Sequence, residues 1–237
     1  MKFCSILPIK NQDIMFKQDC VMLLAHLSAK YPGYSEKAAD SDAYKIMDNS
    51  IIELGSAFSM EQLIAEARKC RANEIILPDV YRDAQATIQR AKDSILWLED
   101  HGCADEFRLM AVAHGRDLAE VAMSILAYKN MPRISVIGIP KVLSTFDLNR
   151  IKIASYARNM TGKEVHLLGC WYTLGEYRYK DLSDIRSTDT CLPSILAKTG
   201  KSAWDLRLED TLDLENDEVD PEQYKKVMEE FFEGIIS

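Results

Sequence analysis

None of the six cysteines (Cys4, Cys20, Cys70, Cys103, Cys170, Cys191) stands in a C-x-x-C or C-x-C pair. That argues against a zinc ribbon, offers no disulfide framework, and reads as a reduced, cytoplasmic setting. No apolar run approaches the ~20 residues needed to span a bilayer, so no membrane partner is expected. The opening stretch Met1-Lys2-Phe3-Cys4-Ser5-Ile6-Leu7-Pro8 has no small-residue cleavage site and is interrupted by proline, so it reads as a first strand and not as a signal peptide. Ten glycines and seven prolines are scattered along the chain, without a low-complexity tract, a linker or a fixed-period repeat.

What is present is a sizeable apolar fraction, 47% of 237 residues, which suits one domain with a large core spanning 1–237. The formal charge of −8 is local: the segment 209–222 holds eight acids and no Lys or Arg. The remainder is balanced, 29 basic against 29 acidic residues, so the acidity does not exclude a polyanionic partner. The segment itself reads as a solvated loop, with binding of a basic partner or screening against nonspecific nucleic acid as other uses.

Strand-like apolar runs occur at Phe3–Pro8, Tyr44–Met47, Glu74–Pro78, Phe107–Ala113, Arg133–Ile139, Val165–Gly169 and Ile185–Thr188. Between them apolar residues recur at three-and-four spacing: Met60, Leu63, Ile64, Ala67; Ile88, Ala91, Ile95, Leu98; Leu118, Val121, Ala122, Ile125; and Leu148, Ile151, Ala154. Tyr224, Val227, Met228 and Phe231 mark a closing amphipathic helix over 221–234. Repeated βα units with strands apolar on both faces predict an α/β fold with a parallel sheet, and about seven such units favour a (β/α)8 TIM-type barrel over an open sheet. Trp204–Leu208 is the candidate for an eighth strand, and a distorted or incomplete barrel is the alternative.

In a parallel barrel the residues just past the strand ends share one rim. Here that rim carries Asp48 with Asn49 and Ser50, Asp79, His114-Gly115, Gly138 with Lys141, Gly169-Cys170-Trp171-Tyr172, and Asp189. Three carboxylates and a histidine on one rim make a candidate active site.

In order and wording these segments resemble the tRNA-guanine transglycosylase superfamily, and more closely its small phage and bacterial members that act on DNA. The family's D-S-G-G-F-Q turn is similar to Asp48-Asn49-Ser50 with Gly55, without the paired glycines. Its second acid is matched by Leu77-Pro78-Asp79, and its V-Q-G-G turn by Val112-Ala113-His114-Gly115, with histidine for glutamine. The G-L-A-V-G-G segment has a shorter counterpart in Val136-Ile137-Gly138-Ile139-Pro140, and Y-L-M-G-V-G-T-P resembles His166-Leu167-Leu168-Gly169-Cys170-Trp171. The nucleophile segment F-D-C-V-M-P-T-R resembles Thr188-Asp189-Thr190-Cys191-Leu192-Pro193-Ser194. The matches run in the family's order over residues 44–195. The C-x-C-x-x-C…H zinc site of the tRNA enzymes is absent, as are the arginines after their nucleophile segment, so DNA fits better than tRNA as the substrate.

The resemblance implies exchange of guanine in DNA for a 7-deazaguanine, such as 7-cyano-7-deazaguanine, in the cytoplasm of a bacterium or phage-infected host. No cofactor or metal is implied. Displacement at an anomeric carbon needs a carboxylate nucleophile, and the resemblance assigns that role to Asp189. Asp48 would shuttle protons if its surroundings raise its pKa. Asp79 would accept hydrogen bonds from the Watson–Crick edge of the base, with His114, Gly115, Gly138 and Gly169 around it. The base would have to leave its stack, with Phe58, Trp171 and Tyr172 as sandwiching groups, and Lys141, Arg178, Lys180 and Arg186 are candidates for phosphate contact.

Plainer readings exist for each. Asp48, Asp79 and Asp189 could cap the helices that follow them, His114 could be a hydrogen-bonded core residue, and Phe58 and Trp171 could be core aromatics. Cys170 and Cys191 read as small buried residues rather than redox groups. Two rival functions also fit the residues: a divalent-metal hydrolase or lyase using Asp48, Asp79, His114 and Asp189, which the lack of an H-x-H pair weakens, and a non-catalytic module binding a purine-like base.

Overall fold

A computed structural model describes residues 2–145, 150–169, 183–203, 205–207 and 209–236. Eight parallel strands close into a barrel in sequential order. They are β1 (Lys2–Ser5), β2 (Cys20–Leu24), β3 (Tyr44–Asp48), β4 (Glu74–Ile76), β5 (Arg108–Val112), β6 (Ile134–Pro140), β7 (Glu164–Leu168) and β8 (Ser187–Thr190). The helices are α1 (Gln12–Met15), α2 (Ala25–Lys30), α3 (Pro32–Asp40), α4 (Ile51–Leu54), α5 (Met60–Lys69), α6 (Ala84–Asp100), α7 (Leu118–Lys129), α8 (Arg150–Thr161), α9 (Leu192–Thr199) and α10 (Pro221–Ile236).

The pleat divides the apolar residues into two layers, because successive side chains on a strand point to opposite faces. Cys4, Met22, Ile46, Ile76, Met110, Val112 and Val136 fill the barrel interior. Their neighbours Val21, Leu23, Met47, Ile75, Leu109, Ala111, Ile137 and Val165 face outward and pack with Leu63, Ile64, Val121, Ile125 and Ala154 of the surrounding helices. Double burial is why the strands read as continuous apolar runs. Helix starts are set locally: Ser59 and Gln62 form a capping box on α5, and Asp83 and Asp117 accept the Ala86 and Glu120 N–H groups on α6 and α7.

Two expectations are corrected and a third is extended. The missing strand is not at 204–208: Trp204 and Leu208 lie outside the described residues, the residues between them form no strand, and Cys20–Leu24 completes the barrel. The cysteines are not all unpaired either. Parallel pairing of β1 with β2 brings Cys4 and Cys20 to a Cα separation of 4.5 Å, where they form a disulfide, whereas Cys70 and Cys103 are buried outside any disulfide. Finally, 209–222 is largely exposed, as a solvated loop would be, but it is also tied to the rest of the chain. Asp210, Glu215 and Asp217 pair with Lys201, Lys30 and Lys198, and the Asn11 side chain exchanges two hydrogen bonds with the Val219 backbone. Among the described residues no helix is long and apolar enough to cross a membrane.

The strand starts close the barrel with charge. Glu74, fully buried, accepts from both terminal nitrogens of Arg186 (2.7 and 3.0 Å) and from the Tyr44 hydroxyl (2.8 Å). Arg186 also reaches Glu164, which receives a second hydrogen bond from Arg108 (2.6 Å). Burial, then the Glu74 carboxylate, pushes the Tyr44 phenol up to about 12.

Candidate functional site

The opposite end of the barrel, where the strands finish, opens into a cavity of about 590 Å³. Its walls include Ile6, Met22, Leu24, Ile76, Val112 and Leu168, and Asp48, Glu53, Asp79, His114, Lys141 and Asp189 supply charge or polarity. Asp48, Asp79, His114, Lys141, Gly169 and Asp189, named from the sequence, are thus brought to one place.

Asp48 ends β3, beside Leu24 of β2. Its Oδ2 accepts the Ser50 N–H (2.7 Å) in a tight turn that puts Ser50 in the left-handed region at φ 59°. Ser50 tolerates that conformation because its hydroxyl is held twice by His26, accepting the backbone N–H (3.2 Å) and meeting Nδ1 (3.0 Å). Loss of water at the cavity wall, then the Glu53 carboxylate and more weakly those of Asp79 and Asp189, pushes the Asp48 carboxyl well above the usual carboxylate range. A carboxyl so shifted takes up a proton at a higher pH than an ordinary carboxylate does.

Asp79 follows β4 and is buried. It caps no helix: α6 is capped by Asp83, while Asp79 Oδ1 accepts from Asn49 Nδ2 (2.7 Å) and Oδ2 from His114 Nε2 (2.5 Å). Asn49 is itself fixed, donating also to the Leu77 carbonyl (2.9 Å) and accepting the Ile51 N–H (3.1 Å). The Arg82 N–H donates to His114 Nδ1 (3.3 Å), so the proton on His114 sits on Nε2 and points at Asp79. With both ring nitrogens engaged inside the protein, His114 orients Asp79. Each Asp79 oxygen retains a second lone pair, enough for the two N–H groups of a guanine-like edge.

Asp189 lies within β8, opposite Cys4 of β1, and is 5% exposed. It too caps nothing, since the Leu192 N–H at the start of α9 is taken by Thr190 Oγ1 (2.9 Å). Asp189 Oδ1 accepts instead from His166 Nε2 (2.9 Å) and from the Gly169 N–H (3.0 Å). Gly169 adopts φ +62° just past β7, a conformation suited to glycine, and this turns its N–H onto the carboxylate.

Other residues named from the sequence fall elsewhere. Arg186 is at the far end of the barrel in the Glu74–Glu164 network, so it meets no phosphate at this rim. Phe58 packs against the outer core and does not line the cavity. A Cβ on Gly115 would meet Val121 N at 2.6 Å, so this glycine serves the close approach of the loop to α7. A Cβ on Gly138 would meet Leu168 Cδ1 at 2.8 Å, so that glycine makes room inside the barrel. Cys170, Trp171, Tyr172, Arg178 and Lys180 lie outside the described residues.

Sequence reasoning missed Tyr81 and His166. Tyr81 is 51% exposed, lines the cavity and stands edge-on to the His114 ring, with centroids 5.9 Å apart. An aromatic two residues after Asp79 was its only signal. His166 stood in the quoted His166–Trp171 segment, but as a strand residue. Among the described residues no three His, Cys, Asp or Glu converge closely enough to hold a metal ion, so the divalent-metal reading finds no ligand set there. The chain matches no protein-family model, and a search of curated proteins gives no significant match.

Proposed function

We propose that the chain is a DNA-guanine transglycosylase that exchanges guanine for a 7-deazaguanine through a covalent aspartyl intermediate. The observation that carries the reading is the meeting of Asp48, Asp79 and Asp189, from three separate strand ends, on one cavity with apolar walls. The three acids have different environments, as the three tasks require. Asp189, held by two hydrogen bonds on one oxygen, suits attack at C1′ of a flipped-out deoxyguanosine. In that step a bond forms between C1′ and the carboxylate as the bond from C1′ to the base breaks, and the electron pair leaves with the base nitrogen. Asp48, whose surroundings favour its protonated form, donates its proton to the leaving guanine. The resulting carboxylate then takes the N9 proton of the incoming 7-deazaguanine, whose nitrogen attacks C1′ and releases Asp189. Asp79, oriented by Asn49 and His114, reads the N–H edge of either base. DNA is preferred to tRNA as the partner, on the absence of the zinc-site motif from the sequence.

The test is incubation of the protein with guanine-containing DNA and labelled 7-cyano-7-deazaguanine, repeated with Asp189→Asn and with tRNA. Label enters DNA with the native protein and not with the folded variant, and tRNA takes up none. If the native protein labels neither nucleic acid, the reading is wrong; binding of the base without exchange would instead indicate a binding module.

A further inference from the structure

One buried histidine, His166, has no role in the exchange as described. Its ring is 0% exposed, inside the barrel on β7, and both nitrogens are engaged: Nδ1 lies 2.7 Å from Ser187 Oγ and Nε2 2.9 Å from Asp189 Oδ1. Ser187 Oγ is in turn 2.9 Å from Arg186 Nε.

The hydrogen bonds of this line can be followed from its far end. Arginine only donates, so Arg186 Nε–H donates to Ser187 Oγ. The serine's own hydrogen is then available for His166 Nδ1; with Nδ1 accepting it, the imidazole proton stands on Nε2 and donates to Asp189. Arg186 itself is oriented by two hydrogen bonds to Glu74. A continuous line Glu74–Arg186–Ser187–His166–Asp189 therefore runs through the barrel interior, from the charged network at the strand starts to the cavity at the strand ends.

We infer that His166 is a positioning residue, a neutral Nε2–H donor that, together with the Gly169 N–H, anchors Asp189 by Oδ1 and leaves Oδ2 as the attacking oxygen. This rests on the transglycosylase reading. Both donors fall on Oδ1, and among the described residues no hydrogen bond goes to Oδ2. Two donors on one oxygen fix the plane of the carboxylate. A neutral imidazole leaves the nucleophile its full negative charge, whereas an imidazolium partner would draw it into an ion pair. Arg186, placed by the sequence among phosphate contacts, instead sets the proton on His166 through Ser187.

The experiment combines kinetics and spectroscopy on the full chain. Single-turnover formation of the covalent protein–DNA adduct is measured for the native protein, His166→Leu and His166→Gln, beside DNA affinity. Loss of a hydrogen bond to a reacting carboxylate slows adduct formation about ten- to hundredfold. The Leu variant should show this at unchanged DNA affinity, and Gln, which returns an N–H donor, should recover most of the rate. Independently, the imidazole 15N–1H spectrum of the native protein should show His166 protonated on Nε2 alone, with His166→Gln assigning the signals; it needs no active variant and decides the line even if His166→Leu does not fold. A folded Leu variant that reacts at the native rate, a rate loss matched by an equal loss of DNA affinity, or a proton on Nδ1 would each overturn the inference. Absence of any adduct with the native protein removes the exchange reading, and the positioning role with it, whereas failure of the variants alone removes only the latter.

Discussion

Arg186→Met separates the two roles open to this arginine. The guanidinium, only 14% exposed, donates to both oxygens of Glu74, whose side chain is fully buried. Methionine fills a similar volume without a donor and leaves the Glu74 carboxylate with the Tyr44 hydroxyl among these partners. Removing one member of a buried ion pair costs about 3–5 kcal/mol, because the other charge stays behind unpaired. In a domain of this size each kcal/mol shifts the melting temperature by roughly 2–4 °C, so a fall of about 10 °C is expected. Thermal unfolding followed by circular dichroism at pH 7 measures it, with urea unfolding as the equilibrium check. Pairing Arg186→Met with Glu74→Gln should cost less than Arg186→Met alone, since no charge is then orphaned. DNA affinity supplies the other half. A phosphate contact would lower the slope of log affinity against log salt by about one, and no change of slope is expected. A loss below about 1 kcal/mol, together with a reduced slope, would refute the placement of Arg186 at the closed end of the barrel.

Two further outcomes follow from the cavity. Asp48 has its folded-state pKa above the unfolded value, so the folded chain holds the proton more tightly. The stability this confers is full below the unfolded pKa and is lost as pH rises through the folded one. Asp48→Asn removes that titration, so in urea unfolding between pH 4 and 8 the variant should be the less pH-dependent and, at the alkaline end, the more stable, while base exchange is lost; a variant that loses stability at pH 8 would contradict the cause assigned. Tyr81→Ala should weaken base binding by about 1–3 kcal/mol, the worth of a stacking aromatic, with Tyr81→Phe near native affinity in a titration with free base; equal affinity in all three proteins would remove Tyr81 from the site.

Several of the sequence expectations rested on short-range pattern, and those elements are present. Met60, Leu63, Ile64 and Ala67 lie on α5, and the apolar runs beginning at Tyr44, Glu74, Phe107 and Arg133 overlap β3 to β6, with ends displaced by one or more residues. The strand at Cys20–Leu24 was not legible because α2 follows it without a turn, and its apolar residues merge with the helix's own. Asp48, Asp79 and Asp189 were legible as acids near strand ends, because strand direction in a parallel barrel sends all such residues to one rim.

What the sequence determined by itself is periodicity: doubly apolar strands alternating with amphipathic helices, which leave a parallel barrel as the economical way to bury both. Which of its polar residues meet is a matter of register and of which face each side chain takes. Arg186 looked like any basic residue beside a strand until closure of the barrel set it against Glu74, and nothing joined Cys4 to Cys20 until β1 lay beside β2. His166 shows the same dependence most fully. On β7 it is one more strand residue, and only the pairing of β7 with β8, which sets His166 opposite Ser187, brings its ring between that serine and Asp189. Hydrogen bonds between residues 21 and 23 positions apart leave no local mark, because nothing within a strand's own neighbourhood differs whether the partner is there or not.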